Sequence, residues 1–457
     1  MLFPYFFMYN KGKGRNCMDY LDLRASLDFV DRASRYRFHM PGHKGQLRHH
    51  WADLTELPGL DNLHHPKGVL ARSQQRVADI YQAERTYYLV NGSSVGLMAA
   101  VCALAGPGDK VLVERNCHRA VIAGLIHSGA TPEFVDPHFC PQRRVWLPLT
   151  VSAIESKMAA RSFKAAIFTN PNYFGLVAEL KDLIKHCREQ GMFVIIDEAH
   201  GAHLHFGQGL DLPPDGVAAG AQIVVQSAHK TLFARTQAAW MHLTDAALGE
   251  RLAETLNLFH TTSPSYPLLA SLEHAAVVAC RHGFTLLKRL RLLSALLVRS
   301  CSRHGLECWR GHDWTRFVLR ERPGMIRMLT NAGIYPELVQ NNNVLFMLTM
   351  ADALSPTAAA ALNRTLAKLA ELPAAELPRV LPPPPVEQVC SPREAWLAPG
   401  KKIELNKAQG RICRELLAPY PPGTLVAGPG QRLDQATHEY LVMLSSRKVI
   451  PEWIEVI

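Results

Sequence analysis

The sequence predicts an α/β fold: a mainly parallel seven-stranded sheet with helices on both faces, followed by a smaller α+β C-terminal domain. Three observations carry this. Seven strand-like segments alternate with helical stretches between residues 87 and 243. Two of them, Phe193–Ile196 and Ile223–Gln226, are short apolar β-branched runs of the kind buried on both faces of a parallel sheet. A chain of 457 residues with 48% hydrophobic content can bury a large core and supply two or more domains.

Taken in order, strands are expected at Tyr87–Val90, Val111–Val113, Glu133–Val135, Ala165–Thr169, Phe193–Ile196, Ile223–Gln226 and Ala239–Leu243. An amphipathic stretch from about Tyr266 to Arg303 carries the chain onward as one long helix. Beyond it, Phe317–Leu319 and Val344–Leu348 read as strands and the Ala-rich run Ala358–Glu371 as a helix. Residues 378–386 contain four consecutive prolines, which rules out a helix or central strand and predicts an extended linker. Residues 1–62 are expected to be an N-terminal extension and arm, 63–304 the large domain and 305–457 the small one. Met1–Met8 is apolar and aromatic, but it is short and Lys11, Lys13 and Arg15 follow rather than precede it, the wrong order for a signal peptide or membrane span.

In open α/β sheets, ligands sit beyond the carboxyl ends of the strands. Asp197 follows the run Phe193–Ile196, and Lys230, in Gln226–Thr231, follows Ile223–Gln226. A lysine amine to condense with an aldehyde and a carboxylate to keep a pyridine nitrogen protonated are the two groups that a pyridoxal phosphate (PLP) site requires. The stretch Leu89–Leu97 puts Ser93 and Ser94 between a strand end and an apolar helix, where amides and hydroxyls can cradle a phosphate. After Val111–Val113 comes His118, an aromatic ring that can lie flat on a cofactor ring.

Other readings are weaker. The net charge is +10, from 50 basic and 40 acidic residues, but the basic residues are dense only between Lys288 and Arg299, where they alternate with leucine. That spacing describes a solvated helix face rather than a nucleic-acid site. Ten cysteines without a Cys-x-x-Cys pair argue against disulfides or a zinc knuckle and fit a reducing cytoplasm. His200, His203 and His205 have ligand-like spacing, yet no cysteine or carboxylate cluster completes a set, so no metal is expected.

These runs together resemble the Orn/Lys/Arg decarboxylase class-I family, in its short form without the N-terminal wing domain. The resemblance is carried by Met40–Gly45, Leu60–Gly68, Asn91–Ser94, Arg115–His118, Asp197–His203, Ser227–Lys230, Thr261–Pro267, Gly333–Leu338, Ser391–Ala395 and Pro419–Gly423, in that order. It implies the PLP-dependent transferase-like fold, fold type I. It implies Lys230 as the aldehyde-binding lysine, Asp197 as the partner of the pyridine nitrogen, His118 stacked on the ring, and Ser93, Ser94 and Ser227 on the phosphate. His229 resembles the histidine near the substrate carboxylate and, like Lys230, is a candidate proton donor. His200 stands beside the cofactor where the long forms have tryptophan. Thr261 resembles a residue that reaches the phosphate of a neighbouring subunit, which implies a homodimer or higher homo-oligomer with shared sites.

The activity so implied is decarboxylation of a basic L-amino acid, arginine, lysine or ornithine, with a lean to arginine because the short form is often of that type. The substrate is a small molecule; neither nucleic acid nor membrane is implied. Another PLP reaction, such as transamination or α-oxoamine synthesis, is the alternative, since Asp-Glu-Ala-His also occurs in α-oxoamine synthases; a catalytically silent binding protein is a third. The chain departs from the family at Arg119-Ala120, where Lys-Ser is common, and at Asn172, where Thr is usual. A substrate side-chain cation needs a carboxylate or an aromatic partner, and Glu394, Glu415 and Asp434 are candidates.

Overall fold

The computed structural model describes residues 22–33, 40–41, 52–158, 162–374, 380–419 and 425–457. Of the sequence features above, residues 1–17, the Met40–Gly45 run beyond Pro41, residues 420–423 and positions 378 and 379 lie outside the described residues.

The large sheet contains β1 (Arg85–Leu89), β2 (Lys110–Glu114), β3 (Thr131–Val135), β6 (Ala165–Thr169), β7 (Phe193–Asp197), β8 (Ile223–Gln226) and β9 (Ala239–Leu243), while β4 (Phe139–Cys140) and β5 (Val145–Trp146) form a separate short hairpin. Its order is β1-β9-β8-β7-β6-β2-β3. Every pairing among β3, β2, β6, β7 and β8 is parallel, and β9 alone runs antiparallel, between β8 and β1. The expected seven-stranded, mainly parallel sheet is therefore present. Asp197 differs in one respect: it pairs within the ladder, and so ends β7 rather than following it.

Side-chain alternation explains why the sheet is covered on both faces. Val111, Val113, Ile167, Ile195 and Val225 join residues of α3 (Gly92–Leu104) and α4 (Arg119–Ser128) in one core cluster. The residues between them, Leu112, Ala166, Val194, Ile196 and Val224, face a second cluster with Leu180, Leu183 and Ile184. Fully burying one such side chain contributes roughly 1.5–3 kcal/mol. Strands with both faces occupied have no room for polar residues until their ends, and that is where the polar groups appear.

The long helix runs Tyr266–Arg303, as expected, and at 1.5 Å per residue spans roughly 57 Å. Its buried side, including Leu286, Leu287 and Leu290, packs in one cluster with Phe317, Val344, Leu362 and Leu366 of the following unit. That unit holds the antiparallel sheet β10-β11-β13-β12, formed by β10 (Cys308–Arg310), β11 (Arg316–Arg320), β12 (Leu338–Gln340) and β13 (Asn343–Met347). A last small core around Leu405, Cys413, Leu433 and Ile454 closes the chain with the strand pair β14 (Lys401–Glu404) and β15 (Trp453–Val456). No helix among the described residues is long and apolar enough to cross a membrane.

Candidate active site

Four parallel strands deliver their last residues to one region: Glu114 from β2, Thr169 from β6, Asp197 from β7 and Gln226 from β8. Asp197 is 3% exposed, and its Oδ1 accepts from the Ala199 amide at 3.1 Å. Its other oxygen has no hydrogen-bond donor among the described residues. Lys230 sits in the single turn Ala228–Thr231 that follows β8, and its Nζ lies 3.1 Å from His200 Nε2. Burial and the Arg316 cation pull the Lys230 amine below its ordinary value against the opposing charges of Asp197 and Glu337.

At the start of α3, Gly92 takes φ +80°, a left-handed conformation that glycine adopts without cost. Asn91, at the N-cap, gives the helix no side-chain cap because its Oδ1 accepts from the Thr261 amide at 3.1 Å. The first-turn amides of α3 are thus left for an external anion. Ser227 donates its hydroxyl to Ser93 Oγ at 2.9 Å, which places both at this helix end. Ser93 lines the cavity; Ser94, Ser227 and Thr261 do not. Thr261 is instead held in its own loop, where its hydroxyl accepts from the Ser263 amide at 3.2 Å.

His118 caps α4: its Nδ1 accepts from the Ala120 amide at 3.2 Å, which a neutral ring with its proton on Nε2 satisfies. Burial holds this imidazole below its ordinary value although Asp197 opposes. His229 is lowered too, by burial and by Lys230. His200 is pushed well down, by burial and then by Lys230 and Arg316, and its Nδ1 is buried without a partner. The three histidines of His200–His205 diverge: His200 meets Lys230, His203 Nε2 lies 3.2 Å from Asp313 Oδ1, and His205 Nδ1 lies 2.9 Å from Asp215 Oδ2.

A deeper polar layer supports Asp197. Glu198, fully buried, accepts from Gln226 Nε2 at 2.6 Å and from the Gly216 amide at 2.9 Å, and burial raises its carboxyl well above the usual range. Gln226 Oε1 in turn accepts from Trp240 Nε1 at 2.7 Å. A Cβ on Gly201 would come within 2.4 Å of Glu198 Cγ, so glycine is what lets the Asp197–His203 loop close over this layer.

These groups open into a cavity of about 870 Å³, the size of a small-molecule site. Asp197, His118, His200, His229 and Lys230 line it together. The opposite walls come from Trp146 of β5, from Glu337 just before β12, from Leu381–Pro383 and from Val426 and Tyr440 of the C-terminal unit. The proline-rich run is therefore a wall of the cavity as well as a connection. Of the three carboxylates considered for a substrate cation, none lines it. Glu394 closes a capping box with Ser391, Glu415 accepts from the Glu455 amide at 2.7 Å, and Asp434 caps the helix α14 (Gln435–Ser446). Glu337 lines it instead, and Tyr173 Oη donates to its Oε1 at 2.6 Å. Glu337 lay inside the Gly333–Leu338 run but was not singled out by the sequence.

PLP fits this donor set. Open amides and paired hydroxyls at the start of α3 suit a phosphate, the open oxygen of Asp197 suits a pyridine N–H, and His200 Nδ1 and Thr169 Oγ1 are buried with no partner among the described residues. The comparisons decide the matter. The model of the Orn/Lys/Arg decarboxylase major domain matches residues 23–298, and that of the family's C-terminal domain matches residues 381–450.

The chain belongs to the Orn/Lys/Arg decarboxylase family. It is thereby a PLP-dependent amino acid decarboxylase. An uncharacterised protein of Bacillus subtilis (strain 168) is 30% identical, over 91% of this chain and 92% of its own. An arginine decarboxylase of Bacillus anthracis is 29% identical over 89% of each chain. Among solved structures, the lysine decarboxylase of Francisella novicida superposes with a TM-score of 0.76 at 18% identity, covering 95% of this chain and 81% of that one. The decarboxylase thus has fold type I, with a smaller C-terminal domain, as the sequence led one to expect. Its substrate class within the family is the basic amino acids.

Proposed function

We propose that the decarboxylase acts on L-arginine in preference to L-lysine and L-ornithine, releasing carbon dioxide and the corresponding amine. Glu337 is the observation that carries this reading: among the described residues it is, besides Asp197, the acidic side chain lining the cavity, and it stands close enough to Lys230 to favour that residue's ammonium. A guanidinium can meet a carboxylate with two parallel hydrogen bonds, whereas an ammonium meets it as a point charge. The likeness to an arginine decarboxylase over 89% of each chain supports the same choice.

Bound PLP supplies the electron sink that takes up the pair left when the carboxylate departs. The residues that would hold it are Lys230 at the aldehyde, Asp197 at the ring nitrogen, His118 at the ring face with His200 beside it, and Ser93, Ser94 and Ser227 at the phosphate. Asp197 would hold a proton on the ring nitrogen, which is how its charge would favour the reaction. Lys230 and His229, both lining the cavity with lowered proton affinity, are the groups able to return a proton at the α-carbon. Leu381, Pro382, Pro383 and Val426 give one wall of the cavity an apolar surface, which lowers the polarity around a bound substrate.

The same reading makes the enzyme a cytoplasmic homodimer or higher homo-oligomer. Thr261, outside its own cavity and tied to the N-cap of α3, would serve the phosphate of a neighbouring subunit. It also takes residues 63–304 as the PLP-binding domain and 305–457 as the small domain. The test of the activity is mass spectrometry of products after incubation of the PLP-loaded protein with each of the three amino acids. Loss of one carbon dioxide mass, fastest from arginine, is expected. Faster turnover of lysine or ornithine would overturn the preference, and no loss from any would move the reaction to another amino acid.

A further inference from the structure

A buried cluster outside the cavity links the small sheet to the catalytic lysine. Arg316, the first residue of β11, has no exposure and does not line the cavity. Its NH2 donates to the His200 carbonyl at 2.9 Å and its NH1 to Thr315 Oγ1 at 2.7 Å. The Thr315 hydroxyl donates onward to Asp313 Oδ1 at 2.6 Å, and Asp313 lies 3.6 Å from Arg316 and 3.2 Å from His203. A fully buried ion pair is a weak source of stability, since an apolar residue of similar size often does as well. What the cluster does supply is a fixed position for the backbone of His200, whose ring meets Lys230 at 3.1 Å.

We propose that Arg316 is a positioning residue of the active site: by holding the His200 carbonyl, it keeps the His200 imidazole on the Lys230 amine. The proposal rests on the reading of Lys230 as the cofactor-binding lysine. The charged and titratable groups around Lys230 are Asp197, His118 and His200 from the strand ends, His229 beside it in sequence, and Arg316 and Glu337 from the small unit. Only a neutral amine is nucleophilic. The amine always carries a hydrogen to donate, and the neutral His200 ring accepts it. A displaced ring therefore withdraws a bond that favours the ammonium, and the lysine should titrate lower.

The test is competitive labelling of the full-length, cofactor-free chain with trace fluorodinitrobenzene across pH, read by mass spectrometry on the peptide that carries Lys230. Arg316→Lys keeps the charge and loses the fork; Thr315→Val keeps the charge and the bulk and removes the hydroxyl that steadies Arg316. Each is expected to lower the Lys230 midpoint by about half a pH unit or more. Neither is expected to do so in a His200→Ala background, because the effect runs through that ring. A downward shift that His200→Ala abolishes supports positioning; an upward shift overturns it. Wild-type midpoints in both single variants, or shifts that survive His200→Ala, overturn it. If Arg316→Lys does not fold, Thr315→Val carries the same test. Addition of PLP should protect Lys230 from the label in the wild type; a failure to protect would sink the cofactor reading and leave the Arg316 result standing.

Discussion

Tyr173 donates its hydroxyl to Glu337 Oε1 at 2.6 Å while its ring centroid lies 4.5 Å from that of His200. One side chain thus touches two groups that line the cavity, the carboxylate proposed for the substrate cation and the imidazole against Lys230. In the proposed reading this pair places a cationic substrate with respect to the lysine, and it joins the loop after β6 to the residue before β12.

Removal of the Glu337 charge should show this as a binding defect. Glu337→Gln keeps the size and an acceptor for Tyr173 but loses a charge-assisted bond of roughly 1.5–3 kcal/mol, which converts to about a 10- to 150-fold fall in kcat/KM. The loss is expected mainly in KM, with Tyr173→Phe giving a smaller effect in the same direction. Steady-state kinetics on the preferred substrate check it; an unchanged KM in Glu337→Gln would remove Glu337 from substrate recognition.

Lys230→Ala and Asp197→Ala separate attachment from chemistry. The first is expected to abolish both the visible absorbance of lysine-bound PLP and carbon dioxide release. The second is expected to keep part of the cofactor and lose about 10²–10³-fold in kcat, the size of effect found when one preorganised charge partner is removed. A yellow, active Lys230→Ala enzyme would refute the assignment of the lysine.

The legibility of these residues from sequence follows their distance from a strand. Asp197 and Lys230 stood out because each closes an apolar β-branched run, and such runs end where a parallel sheet binds its ligands. The helix Tyr266–Arg303 was legible because one apolar stripe continues through it. Glu337 and Arg316 were not, since their roles exist only once the small sheet has folded against the large domain. The three-residue strands β10 and β12 were hidden because they are too short to alternate visibly, although each pairs with the strand that follows it in sequence, β10 with β11 and β12 with β13. Glu394 misled in the opposite way. It reads as a spare carboxylate, but Ser391-x-x-Glu394 is a capping box, a local pattern that already employs it.

Glu114 gives the fold a pH dependence. Burial, and then the nearby Asp197 charge, push its carboxyl up from 4.5 to about 7, despite the Thr169 amide donating to Oε2 at 2.8 Å. A raised acid prefers its neutral form when folded. Its contribution is thus full below the unfolded value, declines as pH rises through the folded value and is lost above it. Between pH 5 and 8 the cofactor-free wild type should lose on the order of 3 kcal/mol relative to Glu114→Gln, an upper figure because neighbouring groups relax. Urea denaturation of both proteins at each pH measures it. Parallel curves would mean that Glu114 titrates normally.

Arg115 offers a test of how the outer wall of the cavity is held. It is 3% exposed and precedes the Asn116-Cys117-His118 loop directly. Its NH1 donates to Asp136 Oδ1 at 2.9 Å and to the Pro384 carbonyl at 2.6 Å, and its NH2 donates to the Val426 carbonyl at 2.9 Å. The proline run and the C-terminal unit are therefore pinned to the end of β2 by one guanidinium. Arg115→Met fills the space but leaves buried acceptors unpaired, at about 1–3 kcal/mol for each. Since the Pro384 and Val426 carbonyls lose their side-chain donor, the cost should appear as local opening at the wall before global unfolding. Hydrogen exchange at Val426, Ala427 and Val389, whose amides bond to Leu417 and Gly430, is expected to quicken by about tenfold or more, while amides of the central strands stay protected. Arg115→Lys should recover only part of the protection, since one ammonium cannot reproduce the fork. Exchange unchanged in Arg115→Met would show that the guanidinium does not hold the wall, and the proline run would then have to be kept in place by the Tyr440 hydroxyl on the Leu381 carbonyl and its own stiffness.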